Sequence, residues 1–413
     1  MLKRPLARTA RLARAGLSSA RRLATSGAEG AANELVDGLG ELRGLAAKVG
    51  QMASYLDGVA PEDPRLVAAF ARLRARTVTS DPAEIREVVE EDLGAPIAER
   101  FARWDDEPLA SASLGQVHRA ALPDGTEVAV KVQHPGIAEA VAADMSQVDR
   151  VASLAKHLAR GVPVEDVIAE VRAALLEELD GAAEAAHQAA YVAAFRGDPD
   201  VDVPEVFAAW CGPRVLTTRF AEGATLEDVE GAPLALRTGW ARATWRLFVD
   251  GALRTGLLHG DPHPGNLLYR GDGTLVALDF GSVVALDPEA LATLRQLLQA
   301  GLDRDEAAIR AVLERVQGPS RLTDAMIPVW QHVLAPLGTA PFRLDRAHGR
   351  ALTKALIAAK DPRITFRSGN TTVPPWFLLA HRTFMGLVSV LGHLDAPVDY
   401  RSPTIAALAA PSP

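Results

Sequence analysis

Three side chains in the second half of the chain have the types and the spacing of a magnesium–phosphate site. Asp261 and Asn266 stand five residues apart within the sequence His-Gly-Asp-Pro-His-Pro-Gly-Asn (259–266), and Asp279 begins an Asp-Phe-Gly triplet. Carboxylate and amide oxygens are the hard ligands that suit Mg²⁺, which usually binds together with substrate phosphates. One of the two carboxylates could accept the proton of an attacking hydroxyl group. The pattern therefore indicates phosphoryl transfer, in which positioning and charge stabilisation supply most of the catalysis.

The segment between these residues is predicted to fold as a hairpin. Residues 267–269 and 274–278 are mostly apolar, and the turn sequence Arg-Gly-Asp-Gly separates them. A hairpin of that length brings Asn266 and Asp279 to the same end, where both can bind one ion.

Protein kinases use this order of residues. In them an Asp receives the hydroxyl proton, and an Asn and the Asp of Asp-Phe-Gly bind magnesium. These roles fall on Asp261, Asn266 and Asp279. A metal cluster of His259, Asp261 and His263, or a polar loop without a function, is the alternative interpretation.

A second group of kinase-like residues precedes these motifs. Residues 116–122 and 126–132 are predicted strands around a Pro-Asp-Gly turn, and the second contains Val-Ala-Val-Lys ending at Lys131. In kinases this Lys neutralises the α- and β-phosphates, whereas a solitary strand Lys usually extends to solvent. Kinases also place glycines in the preceding phosphate-binding loop. We expect a modified loop, because its residues here are Ala110, Ser111, Ala112 and Ser113.

Further strands and a series of helices follow. Residues 204–207 and 214–219 are predicted strands, and residues 220–223 would form the hinge between two lobes. The hinge backbone meets adenine in kinases, so Phe220 and Glu222 are candidate nucleotide contacts. The rest of the chain is mainly helical, with predicted helices at 240–255, 287–302, 304–316, 324–334, 346–360 and 376–394.

The region before the predicted sheet is also helical. Apolar residues recur at helical spacing over residues 31–56, and a second helix is predicted at 63–74. A third is predicted at 82–93, where Asp81 is a plausible N-cap before a proline. This leading region is expected to form a small all-helical unit.

Composition restricts the class of protein. The 413 residues can bury a large core, and this length predicts two lobes rather than one. Cys211 is the only cysteine, so no internal disulfide can form, which suits a reducing compartment. The longest apolar stretch, residues 376–394, is interrupted by His381, Arg382 and His393, which favours a buried helix over a membrane span.

Charge is distributed unevenly along the chain. Residues 1–28 contain seven Lys and Arg residues and no acid, although the whole chain has a net charge of −8. This basic arm, with leucines between its charges, could bind an anionic membrane surface or serve as a transit peptide. A solvated tail is the alternative. The acidic remainder argues against a nucleic-acid partner.

Together these motifs resemble the UbiB/AarF family of atypical kinases, also called ADCK, over residues 31–394. Four features carry the resemblance and occur in the family's order. They are Lys48, Gly50 and Gln51; the small-residue loop with Gly115–His118; Glu178 and Asp180; and the motif at residues 259–266.

The resemblance implies roles for the kinase-like core. Lys131 would contact phosphates and pair with Glu184, which lies past an additional helix and therefore after an insertion. Asp261 would be the acid/base group, and Asn266 and Asp279 would be the magnesium ligands.

The resemblance also implies a cover over the nucleotide. Lys48, as a catalytic residue, and Gln51 would lie over the pocket where ordinary kinases bind a protein substrate. Glu178 and Asp180 would help to hold that cover near the phosphates and the metal. The Ser111 hydroxyl departs from the alanine run of some members, which affects the expected nucleotide preference.

The expected fold class is α+β: a bilobal protein-kinase-like fold with a small β-sheet N-lobe, a helical C-lobe and an N-terminal helical extension over the nucleotide cleft. The predicted segments are the basic arm (1–28), the helical extension (29–105), the N-lobe with its insertion (106–222), the helical C-lobe (223–396) and an extended Pro-rich tail (397–413).

Three functions are consistent with these residues. The first is an ATP- and Mg²⁺-dependent phosphotransferase or ATPase acting in isoprenoid-lipid or quinone metabolism, a substrate area implied only by the resemblance. The second is a small-molecule kinase of the aminoglycoside or choline kinase type. The third is a nucleotide-gated lipid-binding protein with little turnover. We expect a cytoplasmic protein in peripheral contact with the inner face of the membrane.

Overall fold

The computed structural model describes residues 79–111, 114–143, 179–359 and 373–411. Several predictions lie outside these residues: the basic arm, the helices at 31–56 and 63–74, and the positions Lys48, Gln51, Ala112, Ser113 and Glu178. The chain forms two compact units. The first contains the described residues up to Gly181 and Ala209–Thr217, and the second contains Ala182–Ala208 and the chain from Thr218 onward.

The elements are numbered in chain order. The strands are β1 (Arg103–Trp104), β2 (Ala110–Ser111), β3 (Gly115–Ala121), β4 (Glu127–Gln133), β5 (Val201–Asp202), β6 (Val215–Arg219), β7 (Leu257–His259), β8 (Leu267–Tyr269), β9 (Leu275–Ala277), β10 (Val283–Ala285), β11 (Phe342–Arg343) and β12 (Pro397–Val398). The helices are α1 (Pro82–Leu93), α2 (Ile97–Arg100), α3 (Gly181–Ala194), α4 (Leu226–Val229), α5 (Leu234–Trp245), α6 (Gly251–Thr255), α7 (Pro288–Asp303), α8 (Glu306–Gln317), α9 (Arg321–Gly338), α10 (Arg346–Ala359), α11 (Pro375–Leu394) and α12 (Arg401–Ala409).

Helix α1 of the first unit begins and ends where its sequence predicts. Asp81 caps it by accepting a hydrogen bond from the Ala83 amide at 2.8 Å, and Pro82 occupies the first turn, where a missing N–H costs nothing. Gly94 ends the helix in the left-handed conformation. The apolar face of α1 packs toward β4, and its buried residues are Ile85, Val88 and Val89.

The first unit also contains most of a five-stranded sheet. Its order is β1-β3-β4-β6, and β2 pairs with β3. Strands β3 and β4 are antiparallel, with Val117 opposite Lys131. Residues alternate between the two faces of a strand, so Val128, Val130 and Val132 are fully buried while Lys131 lies on the other face. The predicted strand pair is confirmed.

Gly115 is required where β3 lies close to β4. A Cβ atom at this position would stand 2.5 Å from the Val132 carbonyl oxygen, which is backbone and cannot rotate away. We expect Gly115→Ala to lower the free energy of unfolding by about 1–3 kcal/mol, because the strands must separate. Urea unfolding should show the loss. Gly231→Ala is the control, since its Cβ would have no described atom within 4 Å; equal losses in the two variants would contradict the prediction.

Among the described residues, the second unit contains three small sheets, one of which pairs β11 with β12. Strand β7 pairs with β10, and the β8–β9 hairpin is extended by β5, which runs parallel to β9. The predicted strand at 204–207 is wrong: β5 ends at Asp202, and only Val206 forms an isolated bridge, with Thr218. Pro204 lacks the amide that a continuous ladder needs, and its carbonyl accepts from Gln188 Nε2 at 2.7 Å.

Helices make up most of the second unit. The chain is helical from α5 through α6, with a π-helical turn at Arg246–Asp250 between them. Trp240, Trp245 and Trp330 are fully buried in the helical core. Among the described residues, α11 alone is long and apolar enough to cross a membrane, but most of it is buried. The buried helix predicted at 376–394 is therefore confirmed.

The expectation of an extended C-terminal tail is wrong. Helix α12 forms after Asp399, whose carboxylate accepts hydrogen bonds from the Arg401 and Ser402 amides at 3.0 Å each. Thr404 is buried and its hydroxyl oxygen accepts from Trp245 Nε1 at 3.0 Å. Proline is tolerated near the start of a helix, which is why the Pro content of this segment gave a wrong prediction of an extended chain.

Candidate active site

Two neighbouring loops carry the predicted catalytic and metal-binding residues. Strand β7 precedes one loop and β10 follows the other, with Val283 opposite His259. The Gly260 amide donates to the Ser282 carbonyl at 2.6 Å, which continues the pairing beyond the strands. The second unit thus holds the Asp261 loop beside the Asp-Phe-Gly segment.

Asp261 and Asn266 contact each other directly. Asn266 Nδ2 donates to Asp261 Oδ2 at 3.1 Å. A single 3₁₀ turn, Pro264–Asn266, closes the five-residue spacing, and His263 caps it by accepting from the Gly265 amide at 3.0 Å. Since the side-chain nitrogen of Asn266 donates to Asp261, the side-chain oxygen Oδ1 is the acceptor of this amide group.

The hairpin brings Asn266 and Asp279 to the same end, as the sequence predicts. Strands β8 and β9 pair with Leu267 opposite Ala277. The Leu278 amide then donates to the Asn266 carbonyl at 2.9 Å, so Asp279 follows immediately. Asp279 Oδ1 accepts from the Gly281 amide at 3.0 Å, which fixes the carboxylate at the turn.

His259 holds the two loops together through both ring nitrogens. Its Nδ1 accepts from the Asp261 amide at 3.2 Å, so Nε2 carries the proton and donates to the Asp279 carbonyl at 2.8 Å. Burial among aromatic rings lowers the pKa of His259 to about 4, and the ring is therefore neutral near pH 7. This use of both nitrogens argues against the alternative in which His259 is a metal ligand. Among the described residues there is no group of three His, Cys, Asp or Glu that could hold a metal ion.

Glu184 also approaches the Asp-Phe-Gly segment. It lies in the first turn of α3 and is 4% exposed. A Cβ atom built on Gly281 would be 3.4 Å from Asp279 Oδ1 and 3.6 Å from Glu184 Oε2. The two carboxylates therefore lie on the same side of this glycine. A Cβ atom at position 281 would be in ordinary van der Waals contact with both.

The first unit positions Lys131 and Asp180. Gln133 lies two residues after Lys131 and on the same face of β4, and its Nε2 donates to the Leu179 carbonyl at 2.9 Å. This contact brings the segment that contains Asp180 to the Lys131 face of the sheet. Lys131 belongs to the first unit and Glu184 to the second. Their pairing stays a prediction.

The structure describes part of the expected phosphate-binding loop and the expected hinge. Ala110 and Ser111 form β2, which pairs antiparallel with the start of β3, so these two residues of the expected loop belong to the sheet. Phe220 directly follows β6, where the chain passes from the first unit to the second. The Glu222 carbonyl accepts from Arg270 Nε at 3.1 Å. Their contacts with a nucleotide stay predictions.

The contribution of α11 to this site was not predicted from the sequence. Thr383 Oγ1 shares its one proton between the His259 carbonyl at 3.2 Å and the Leu379 carbonyl at 2.9 Å, and Arg382 donates to the Gly260 carbonyl. Leu379 packs against Gly260, where an added Cβ would be 2.5 Å from Leu379 Cδ1. An arginine in an otherwise apolar helix was the available signal, because a charged group in such a helix needs a polar partner.

Asp250 gives the second unit an unusual pH response. Burial raises the pKa of this carboxyl to about 7, although Arg246 Nε lies 3.5 Å from Asp250 Oδ2. The folded state therefore binds the proton more tightly than the unfolded state, whose carboxyl has a pKa of about 4. The resulting stabilisation is complete below about pH 4 and is lost as the pH rises towards 7.

Removing this titration should change the pH dependence of stability. We expect the stability of Asp250→Asn relative to wild type to increase by about 2 kcal/mol between pH 5 and pH 8. Urea unfolding of both proteins at the two pH values measures this difference, in which other titrating groups cancel. Parallel pH profiles for the two proteins would contradict the assignment.

Fold and site together define a protein of the kinase-like class, in which an antiparallel sheet with a strand Lys precedes the Asp–Asn and Asp-Phe-Gly motifs. The ABC1 atypical kinase-like domain matches residues 72–313. The chain belongs to the UbiB/AarF family of atypical kinases, as its motifs predicted.

Individual relatives agree with this assignment. An uncharacterised protein of Mycobacterium tuberculosis is 36% identical over 67% of this chain and 58% of its own length. A probable protein kinase UbiB of Azotobacter vinelandii is 33% identical over 65% of this chain and 51% of its own length. The rat atypical kinase COQ8B, mitochondrial, is 31% identical over 67% of this chain and 52% of its own length. The chain thus matches little more than half the length of these relatives.

A solved structure matches more of the chain. It is a complex of a Mycobacterium tuberculosis protein with erythromycin, which has 29% sequence identity to this chain and a TM-score of 0.64. The match covers 93% of this chain and 97% of that chain. The likeness therefore includes the helices that follow the matched kinase-like domain.

Proposed function

We propose that this protein binds Mg²⁺–ATP and transfers or hydrolyses its terminal phosphoryl group. The observation that carries the proposal is the hairpin that holds Asn266 beside Asp279, with Asp261 bonded to Asn266 at 3.1 Å. Kinase-type phosphoryl transfer needs these three groups in this order.

The donor set fits magnesium. The side-chain oxygen of Asn266 and the Asp279 carboxylate offer hard oxygen atoms, and hydrogen bonds that Asn266 donates to Asp261 and that Asp279 accepts from Gly281 restrict both side chains. Two protein ligands are enough, because Mg²⁺ keeps waters and binds substrate phosphates as well. When bound, the ion would neutralise charge that develops on the phosphates.

Asp261 would act as the base in the chemical step. As the oxygen of an acceptor hydroxyl or a water attacks the terminal phosphorus, its proton passes to the Asp261 carboxylate. The bond from that phosphorus to the bridging oxygen breaks, and ADP leaves. Lys131 would neutralise the remaining phosphates.

The proposed acceptor is an isoprenoid lipid or a quinone precursor at a membrane surface. The family supports this substrate area, and the basic arm at residues 1–28 would contact anionic lipid through its Lys and Arg side chains. In this proposal Lys48 and Gln51 cover the nucleotide, which would exclude a protein acceptor, while Glu178 and Asp180 support the cover.

Purified protein that includes residues 1–28 tests the proposal. We expect Mg²⁺-dependent ATP hydrolysis that anionic vesicles stimulate and that soluble amines or alcohols leave unchanged. Rapid phosphorylation of a soluble alcohol would support the aminoglycoside-kinase type instead. Nucleotide binding with lipid transfer and no phosphate release would support a lipid-binding protein, and no nucleotide binding with or without Mg²⁺ would reject the proposal.

Binding of a macrolide is a second candidate function. The similar solved structure contains erythromycin, and it matches this chain over nearly its whole length. Calorimetry with erythromycin, with and without Mg²⁺–ATP, tests it. Saturable binding supports a macrolide site, whereas no heat at millimolar erythromycin rejects one.

A further inference from the structure

One face of α11 supports the backbone of the Asp261 loop. Arg382 and Thr383 lie three and four residues after Leu379, so each of them neighbours Leu379 on the helix surface. Thr383 hydrogen-bonds the His259 carbonyl, and Leu379 fills the space beside Gly260. Polar and apolar contacts from one helix thus meet the two residues that immediately precede Asp261.

Arg382 is the member of this face that reaches both loops. Its Nε and one terminal nitrogen lie 3.3 and 3.1 Å from the Gly260 carbonyl oxygen, and that same terminal nitrogen donates to Ser282 Oγ at 3.2 Å. Gly260 precedes Asp261, and Ser282 follows the Asp-Phe-Gly triplet. A single guanidinium group therefore links the loop of the proposed base to the loop of a proposed magnesium ligand.

The chemistry of these contacts favours arginine over other cations. A guanidinium group has donors in a rigid planar fork and can address two acceptors at once, whereas an ammonium group is a compact charge on a flexible stem. The positive charge of Arg382 also contributes to the lowered pKa of His259. Placing a cation in an apolar helix costs free energy, and hydrogen bonds to two loops offset that cost.

We propose that Arg382 is a positioning residue that fixes the Asp261 loop relative to the Asp-Phe-Gly segment. The consequence for turnover rests on the function proposed above, whereas the positioning itself does not. Loss of Arg382 would keep the side chains of Asp261, Asn266 and Asp279 but would allow the two loops that carry them to move apart.

Hydrogen exchange and kinetics test the two parts separately. In Arg382→Met we expect faster amide exchange in peptides covering residues 259–266 and 279–284, measured without nucleotide. We also expect kcat for Mg²⁺–ATP to fall by about 10–100-fold, as for a misplacement near 1 Å, while the KM for ATP changes little. Arg382→Lys should recover only part of kcat, because a Lys cannot hold both acceptors in the same geometry.

Arg295→Met is the matched control. Arg295 also donates from a helix to backbone carbonyls, those of Leu408 and Ala410, but outside this site. It should leave exchange in the two loops and kcat unchanged. Unchanged loop exchange in Arg382→Met, or full kcat in Arg382→Lys, would overturn the positioning role. If wild type lacks ATP turnover and Arg382→Met still shows faster exchange in the two loops, the proposed function is rejected and the positioning role is retained.

Discussion

Replacing Asp279 with Asn is expected to abolish Mg²⁺-dependent ATP turnover, with a loss of at least about 10³-fold. The change removes one negative charge from the proposed metal site and keeps the size of the side chain. An Asn oxygen can still accept from the Gly281 amide, as Asp279 does at 3.0 Å, so the local turn should survive. Mg²⁺-dependent tightening of nucleotide binding should disappear with the activity.

Phosphate release and calorimetric nucleotide titrations at several Mg²⁺ concentrations measure this effect. Asp272→Asn is a suitable control, because Asp272 accepts from the Thr274 amide at the opposite end of the same hairpin. The control should behave like wild type. Equal turnover in wild type and Asp279→Asn would remove the basis for a magnesium site here.

Replacing Asp261 with Asn should separate chemistry from binding. We expect turnover to fall by about 10²–10⁴-fold, the range for loss of a general base, while Mg²⁺–nucleotide affinity stays within a few-fold of wild type. The new side chain can still accept from Asn266 Nδ2, so the contact at 3.1 Å need not be lost. A neutral amide, however, cannot take the proton of the attacking hydroxyl.

Steady-state kinetics and binding on the same preparations distinguish these effects. Asp305→Asn serves as the control, since Asp305 caps α8 and Asn is an equally good N-cap. If Asp261→Asn retained wild-type kcat, Asp261 would not be the base. If it instead lost nucleotide binding, a structural or metal-binding role would replace the proposed one.

Short-range features were predictable from sequence because their causes are local. The cap at Asp81, the β3–β4 strand pair and the hairpin between Asn266 and Asp279 each follow from a few adjacent residues. Turn chemistry and strand alternation fix the register in such elements. The positions of the motif residues at one end of the hairpin therefore followed from the sequence.

Features that depend on distant partners were not predictable in this way. Helix α12 forms where Thr404 meets Trp245, 159 residues away. The return of Ala209–Thr217 to the first unit likewise depends on contacts such as that between Arg214 and Asp92, 122 residues apart. The role of Arg382 needed the location of Gly260 and Ser282, which its own neighbours in the sequence do not specify.

The packing of α11 on the Asp261 loop determines where this chain can be shortened without removing support from the site. The recognisable kinase-like pattern stops at residue 313, whereas the helix that backs the loop spans Pro375–Leu394. A shortened protein ending at that boundary would retain every motif residue and lose the scaffold behind them. The matched domain and the residues that support the Asp261 loop therefore have different boundaries, and a protein shortened at residue 313 would lack the contacts of α11 with His259 and Gly260.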